Sequence, residues 1–204
     1  MKSQLANMDA VILAGGLNRR FNGAQKSLAF FNGKPILDHQ LGVLNRLFQN
    51  IYLITNQKED FSAYSQLVKV EDIIRKKGPL SGIHAGLSYS NKDYIFVFAC
   101  DMPFLEIKII EDQVARLNSR KWDAVVPQTP KSTEPLHGIY SRQITKKLEG
   151  LLNKPENYAV NHFLRKIQTY YWPVSYQKAF MNINSQQALT HYEDHTHYPH
   201  KKRK

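Results

Sequence analysis

The sequence predicts a three-layer α/β/α protein, in which a mainly parallel sheet lies between two layers of helices. Short apolar runs of the kind that form buried strands alternate with longer stretches whose apolar residues recur every three or four positions. This alternation is typical of strands joined by crossover helices, which cover both faces of the sheet. Ligands of such sheets bind beyond the carboxyl ends of the strands, so the residues that follow each strand are candidates for a functional site.

Five apolar runs predict the parallel strands. The first run ends at a pair of glycines, and the most apolar run leads directly into an aspartate. Continuous apolar runs of this length fit strands that are buried on both faces. The predicted strands cover residues 9–13, 51–55, 68–71, 94–99 and 124–127.

Apolar spacing predicts the helices. A helix is expected to begin near Pro35, because proline is favoured in the first helical turn and the following leucines share one face. Ser81 is expected to cap a helix that runs through Tyr89. Strands over 136–140 and 169–173 are expected to add antiparallel pairs. The remaining helical predictions cover 61–67, 107–117, 144–152 and 160–166.

Composition indicates one folded domain. The 204 residues are 42% hydrophobic and 22% charged, and no stretch approaches the ~18 to 20 apolar residues of a membrane span. We expect a single domain over 1–190 and a disordered, His-rich basic tail over 191–204. The N-terminus lacks the features of a secretory signal and Cys100 is the one cysteine, so a cytoplasmic protein without disulfides is expected. We also expect a monomer that binds no membrane.

The charge of the chain favours an anionic ligand. The net charge is +11, and residues 1–190 retain 24 basic against 15 acidic residues after the basic C-terminus is set aside. Because this surplus is spread along the chain, it suits a nucleoside triphosphate as well as it suits DNA. We expect no specific nucleic acid partner.

The segment after the first strand, residues 13–27, has the composition of a polyphosphate cradle and is called the phosphate loop here. Gly15 and Gly16 let the backbone approach a phosphate closely. The loop is not a P-loop, because two residues separate its last glycine from its lysine, and it lacks the dinucleotide-binding spacing of glycines. Its basic residues are Arg19, Arg20 and Lys26.

Two carboxylates at predicted strand ends are candidates for binding a metal or a nucleotide. Asp101 and Asp72 follow strands that would face the same cleft as the phosphate loop. Mg²⁺ prefers oxygen ligands and commonly joins one or two carboxylates to substrate phosphates, so Asp101 is the candidate metal ligand. The alternatives are a helix-capping role for Asp101 and a solvated strand end at Asp72. Cys100 is expected to be structural, since no basic neighbour in sequence favours its thiolate.

Taken together, these motifs resemble those of the MobA family, the molybdenum cofactor guanylyltransferases. The similarity covers positions 11–190. The segments that carry it are Leu13-Ala14-Gly15-Gly16, Arg19-Arg20, Gly23, Lys26, Asn32-Gly33-Lys34-Pro35, Gly78-Pro79-Leu80-Ser81-Gly82, Cys100-Asp101-Met102-Pro103 and Met181-Asn182-Ile183-Asn184-Ser185.

The resemblance implies a Rossmann-like nucleotidyltransferase fold and the transfer of GMP from GTP to the terminal phosphate of molybdopterin, with Mg²⁺ as cofactor. Because the attacking phosphate is already ionised at neutral pH, the task is to align it and to neutralise the leaving pyrophosphate. Proteins that deliver the molybdenum cofactor or pass it to apoenzymes are implied as partners.

The resemblance also implies roles for individual residues. Asp101 would bind Mg²⁺, and Asn182 and Asn184 would lie on the molybdopterin side. Catalytic roles are implied for Lys26, Asp101, Arg19 and Arg20. Binding roles are implied for Leu13, Ala14, Gly15, Gly16, Gly23, Lys26, Asn56, Asp72, Asp101, Asn182 and Asn184.

Three positions depart from the family pattern. Asn22 stands where a glycine is common, and asparagine tolerates a left-handed backbone better than most residues. Gln25 replaces the aspartate that usually precedes the loop lysine, which removes a negative charge near the phosphates. The asparagine that some members place at the end of the second strand aligns with Ile54, and Asn56 lies two residues later, so the base contact at Asn56 stays open.

The sequence is also compatible with other functions. The same fold could carry cytidylyl transfer to the related cofactor or a sugar-phosphate reaction. A non-catalytic nucleotide or nucleic-acid binder could use the basic surplus, with Tyr170-Tyr171-Trp172 stacking on bases. In a strand of period two, however, that aromatic run is expected to face a core.

Overall fold

A computed structural model of the protein shows a seven-stranded sheet with helices on both faces. It describes residues 2–15, 25–118, 121–155, 158–175 and 178–183. The strands are β1 Met8–Leu13, β2 Phe30–Phe31, β3 Lys34–Pro35, β4 Ile51–Ile54, β5 Val68–Val70, β6 Tyr94–Ala99, β7 Ala124–Gln128, β8 His137–Ser141 and β9 Thr169–Pro173. The helices are α1 Lys2–Ala6, α2 Ile36–Leu44, α3 Pro79–Tyr89, α4 Ile107–Ala115, α5 Thr145–Leu152 and α6 Val160–Leu164.

The strand order of the large sheet is β5-β4-β1-β6-β8-β7-β9. β1 pairs in parallel with β4 and β6, and β4 pairs in parallel with β5. β8 runs antiparallel to both of its neighbours, β6 and β7, whereas β9 is parallel to β7. The prediction of a mainly parallel sheet with an antiparallel addition near the C-terminus is therefore confirmed. The expected antiparallel pairing of 169–173 is wrong, because the chain returns through α5 and α6 and enters β9 in the direction of β7.

The central strand shows why the protein has three layers. Ala10 and Ile12 of β1 pack into a core that includes α2 and α4, whereas Val11 and Leu13 pack into a second core that includes α3, α5 and α6. All six residues of β1 are buried. Successive side chains of a strand point to opposite faces, so a continuous apolar run needs a helical layer on each side.

Two helical predictions are corrected by the structure. Residues 58–61 form a 3₁₀ turn and 62–67 form further turns, with Phe61 and Leu67 both buried in the same core. A helix advances by about 100° per residue, so it would turn these two side chains to different faces. Ser81 is not the helix cap, since α3 begins at Pro79 after Gly78 and the Ser81 Oγ accepts a hydrogen bond from the Lys77 N–H.

Two glycines near α3 bring this helix close to the end of β1. Gly78 precedes the helix with φ +65° and ψ −153°, a conformation that is nearly restricted to glycine. A Cβ atom on Gly82 would lie 2.8 Å from Cδ2 of Leu13, so a larger residue there would require the leucine side chain to shift. The amino end of α3 is thereby fixed beside the carboxyl end of β1.

No helix within the described residues combines the length and hydropathy that a membrane crossing requires.

Candidate nucleotide-binding site

The carboxyl ends of four parallel strands meet at one edge of the sheet. Leu13, the last residue of β1, lies opposite Ile54 of β4 and Ala99 of β6, and Ile54 in turn lies opposite Val70 of β5. The backbone pairing continues past the strands, since the Ala14 N–H donates to the Ile54 carbonyl at 2.9 Å. The segments that follow these strands consequently share one edge, as the sequence predicted.

The predicted phosphate loop is described at its two ends. Leu13 and Ala14 are buried, and Gly15 is exposed at the point where the chain leaves the sheet. The loop is described again from Gln25, after which residues 26–28 form a 3₁₀ turn. Five residues predicted to belong to the site lie outside the described residues: Gly16, Arg19, Arg20, Gly23 and Asn184.

Lys26 and Asp101 form an ion pair across the cleft. Nζ of Lys26 lies 3.4 Å from Oδ2 of Asp101, with 23% of the lysine side chain and 12% of the aspartate side chain exposed. Burial raises the pKa of Asp101, and the neighbouring positive charge of Lys26 opposes that rise. The lysine of the phosphate loop therefore contacts Asp101, the carboxylate that the sequence predicted as a metal ligand.

The residues around Asp101 fit a divalent cation that is shared with a substrate. No group of three or more His, Cys, Asp or Glu side chains that could hold a metal by themselves occurs among the described parts of the chain. Mg²⁺ typically binds through one or two carboxylates and completes its shell with water and substrate phosphates. Asp101 is largely buried, with 12% of its side chain exposed, and one such carboxylate beside a phosphate loop has the donor set for this mode of binding.

Asp72 and Asn56 lie together at the same edge. The Asn56 side-chain amide donates a hydrogen bond of 3.0 Å to Oδ2 of Asp72. Burial raises the pKa of Asp72, while the Asn56 hydrogen bond and the charge of Arg75 oppose the rise. Two predicted binding residues therefore form a hydrogen-bonded pair, and the carboxylate of Asp72 can accept hydrogen bonds from the N–H groups of a ligand.

Gln25 is held by two residues that the sequence analysis did not connect with it. Its side chain is buried, and its amide nitrogen donates to Oε1 of Gln57 and, at 2.9 Å, to Oδ2 of Asp60. Both partners lie on the segment that follows β4. Although glutamine replaces the aspartate usual at position 25, a carboxylate is still present beside it, supplied by Asp60.

Two further predictions concern Cys100 and the aromatic run of β9. Loss of solvent raises the pKa of the Cys100 thiol to about 12, so the thiol is protonated at neutral pH, consistent with a structural role. In β9, Tyr170 and Trp172 pack against one core and Tyr171 against the other. This confirms that the aromatic run faces hydrophobic layers.

Comparison with known proteins places this geometry in a family. The family model described as the MobA-like NTP transferase domain matches residues 10–169, which include most of β1, Lys26, Asp72 and Asp101. The chain belongs to the MobA-like NTP transferase family. A relative from Peptoclostridium acidaminophilum, named a probable molybdenum cofactor guanylyltransferase, is 31% identical over 201 residues, covering 92% of this chain and 89% of the relative.

Solved structures share the fold of this MobA-like chain. Molybdopterin-guanine dinucleotide biosynthesis protein A from Archaeoglobus fulgidus superposes with a TM-score of 0.79 at 24% identity, covering 93% of this chain and 98% of that one. A Mycobacterium tuberculosis protein crystallised in complex with manganese gives a TM-score of 0.65 at 14% identity, covering 92% and 98%. These likenesses confirm the predicted nucleotidyltransferase fold.

Gln40 of this MobA-like transferase is a site-supporting residue that the sequence analysis missed. It is fully buried on α2, and its amide nitrogen donates to the carbonyls of Ala99 at 2.7 Å and Met102 at 3.2 Å. These carbonyls flank Asp101 on both sides. A signal was present, since Gln40 interrupts the apolar face of α2, and a buried amide needs hydrogen-bonding partners.

The C-terminal part of the described chain reaches the same edge. Residues 178–180 form a 3₁₀ turn, Asn182 is exposed, and the Ile183 N–H donates to the Asp101 carbonyl at 2.8 Å. Asn182, which was predicted to bind molybdopterin, therefore directly precedes a residue that is hydrogen-bonded to Asp101. Ile183 lies in a segment that carries the family resemblance, but no role was predicted for it.

Proposed function

We propose that this protein transfers GMP from GTP to the terminal phosphate of molybdopterin and releases pyrophosphate. The single observation that carries the proposal is the Lys26–Asp101 ion pair at the carboxyl edge of the sheet, in a chain that belongs to the MobA-like NTP transferase family. The name of the Peptoclostridium relative, which matches over most of both chains, supports the guanylyl group and the molybdenum cofactor as substrates.

Lys26 and Asp101 have different roles in binding the triphosphate. Lys26 binds the β and γ phosphates, where its charge offsets the charge that develops on the leaving pyrophosphate. Asp101 would hold a divalent cation, for which we propose Mg²⁺. When bound, that ion would supply further positive charge to the triphosphate.

The remaining residues bind and orient the two substrates. We assign the backbone of Leu13 to Gly16, together with Arg19, Arg20 and Gly23, to the triphosphate. Asp72 and Asn56 are assigned to the nucleoside, because guanine presents N–H donors that need acceptors such as a carboxylate. Asn182 and Asn184 are assigned to molybdopterin. The attacking phosphate is already ionised, so its alignment with the α-phosphorus, rather than a strong base, is the main requirement.

The proposal also covers the organisation of the protein. We place all of these residues in one catalytic domain over 1–190, in a monomeric, cytoplasmic enzyme. Residues 191–204 are a tail that the reaction does not need. The product would pass to proteins that deliver the cofactor or insert it into apoenzymes.

The test is a turnover assay with purified protein, Mg²⁺, molybdopterin carrying molybdenum, and GTP, CTP or ATP in separate reactions. We expect the dinucleotide product and pyrophosphate with GTP alone, and loss of both in Asp101→Asn with an unchanged thermal unfolding curve. Product formation with CTP would assign the protein to cytidylyl transfer. Nucleotide binding that is independent of Mg²⁺, without turnover, would indicate a non-catalytic binder.

A further inference from the structure

Three backbone carbonyls around Asp101 accept hydrogen bonds from residues in other parts of the fold. Gln40 binds the carbonyls of Ala99 and Met102, and the Ile183 N–H binds the carbonyl of Asp101 itself. Gln40 comes from a helix in the interior. Ile183, by contrast, comes from the segment that carries Asn182, so this bond connects Asp101 to the part of the chain assigned to the acceptor.

Ile183 is anchored by packing as well as by its backbone. Its side chain is fully buried in a small hydrophobic cluster with Phe31 and Ile36, separate from the two main cores. Phe104, three residues after Asp101, packs against the same cluster. The ring of Phe31 contacts Phe104 edge-on, with centroids 5.3 Å apart. The cluster therefore ties the loop after Asp101 to the C-terminal segment.

The other end of this segment is held firmly too. Phe180 packs into the main core, where its ring lies 5.0 Å from that of His137, and Nζ of Lys178 lies 4.2 Å from the centroid of Phe104. Residues 178–183 thus have fixed points at Phe180 and Ile183, with exposed Asn182 between them. A ligand that binds Asn182 acts on a segment whose next residue is hydrogen-bonded to Asp101.

We propose that Ile183 is a positioning residue that couples the acceptor side of the site to Asp101. The inference rests on the proposed function for the assignment of Asn182 to the acceptor. An acceptor bound at Asn182 further restrains the Ile183 amide and, through its hydrogen bond, the Asp101 backbone, so it strengthens metal binding at the carboxylate. By thermodynamic reciprocity, metal and nucleotide bound at Asp101 further restrain residues 182–183 in return.

The first measurement is metal affinity in the full chain, with Mn²⁺ as an electron paramagnetic resonance probe, alone and with the non-cleavable α,β-methylene analogue of GTP. We expect Ile183→Ala to bind Mn²⁺ about tenfold more weakly in the presence of the analogue, within the usual range of coupling between sites. Ile183→Val keeps most of the buried side chain and should restore nearly wild-type affinity. The matched control is Ile144→Ala. Ile144 is 2% exposed and lies in the core that includes α3, α5 and α6, so its replacement should leave Mn²⁺ binding unchanged.

The second measurement is hydrogen exchange of the Ile183 amide in the wild-type protein. Mg²⁺ and the analogue together should slow this exchange, because they hold the carbonyl that the amide binds. In steady-state assays, Ile183→Ala should raise the KM for molybdopterin more than it lowers kcat.

Several outcomes would overturn the inference. These are wild-type Mn²⁺ affinity in an Ile183→Ala protein whose residue-183 amide exchanges freely, and an equal loss of affinity in Ile144→Ala. If Ile183→Ala does not fold, unchanged exchange at Ile183 on adding Mg²⁺ and analogue to the wild type decides against the coupling. The binding and exchange readouts require no group transfer. Intact coupling without guanylyl transfer would contradict the proposed function alone, and transfer without coupling would contradict this inference alone.

Discussion

Lys26 and Asp101, separated by 75 positions in the sequence, meet through Nζ and Oδ2 at 3.4 Å. Each side chain keeps part of its surface exposed, so a charged ligand can reach both groups. A triphosphate offers the lysine a more highly charged partner, and a divalent cation does the same for the carboxylate. We therefore expect the ion pair to separate when nucleotide and metal bind together.

Replacement of Lys26 by alanine should weaken GTP binding more than GMP binding. The lost charge acts on the β and γ phosphates, which GMP lacks, and hydrogen bonds to charged groups contribute about 1.5–3 kcal/mol. We expect a loss of about tenfold or more for GTP in a calorimetric titration. Lys108→Ala is the control, since Lys108 is paired with Asp112 and its side chain is 78% exposed. Equal weakening of GTP and GMP would show that Lys26 only supports the loop.

Swapping the amide of Gln25 and the carboxylate of Asp60 between the two positions should preserve stability and GTP binding. Gln25→Asp alone would place two carboxylates side by side, and we expect it to reduce stability by about 1–3 kcal/mol and to raise the KM for GTP. The double variant Gln25→Asp/Asp60→Asn restores one amide and one carboxylate and should recover most of both losses. Urea unfolding of the wild type, Gln25→Asp, Asp60→Asn and the double variant gives the coupling energy. Strictly additive effects would contradict a direct role for this contact.

His137 should make the protein less stable in acid. Its ring is buried among Phe96, Phe98 and Phe180, and Nδ1 lies 3.0 Å from Oε1 of Gln113, whose amide nitrogen already donates to two carbonyls. Nδ1 consequently donates to Oε1. Burial lowers the pKa of His137 from 6.5 to about 3, so the ring is neutral at pH 7.

The direction of the pH effect follows from the pKa difference. Between pH 6.5 and about 3 the unfolded chain binds a proton at this histidine and the folded chain does not. The free energy of unfolding consequently falls as the pH falls through this range, by about 2 kcal/mol between pH 7 and pH 5. Urea unfolding at both pH values should show a smaller difference for His137→Gln than for the wild type. An unchanged difference would exclude His137 as its source.

Removal of residues 191–204 should leave the transfer reaction intact. Residues 1–190 retain a surplus of nine positive charges, and the proposed substrates are both polyanions. Binding of duplex DNA by the shortened protein should be weak and should fall steeply with salt, as for non-specific contacts to phosphates. The assignment of the charge to the substrates would be contradicted if the shortened protein bound DNA tightly at physiological salt and neither GTP nor Mg²⁺ displaced the DNA.

Local sequence predicted the main features of the sheet and part of the site. Apolar runs are strong signals for buried strands, and parallel strands necessarily present their carboxyl ends at one edge. The positions of Lys26, Asp72 and Asp101 after or near such runs were therefore sufficient to place them at a common cleft. The small hairpin of β2 and β3 was not predicted, although Asn32 and Gly33 take the positive φ values of +47° and +80° that suit a two-residue turn.

The sequence by itself determined the alternating α/β architecture, because buried strands and amphipathic helices have periodicities that can be read over a few residues. The tertiary structure alone decided the parallel pairing of β9, the contact of Gln25 with Asp60, and the hydrogen bond from Ile183 to Asp101. These contacts join residues that are far apart in the chain, and they depend on how the layers pack and on which carbonyls the strand ends leave free. No local pattern encodes such a choice, since the same glutamine or isoleucine would fit many buried positions.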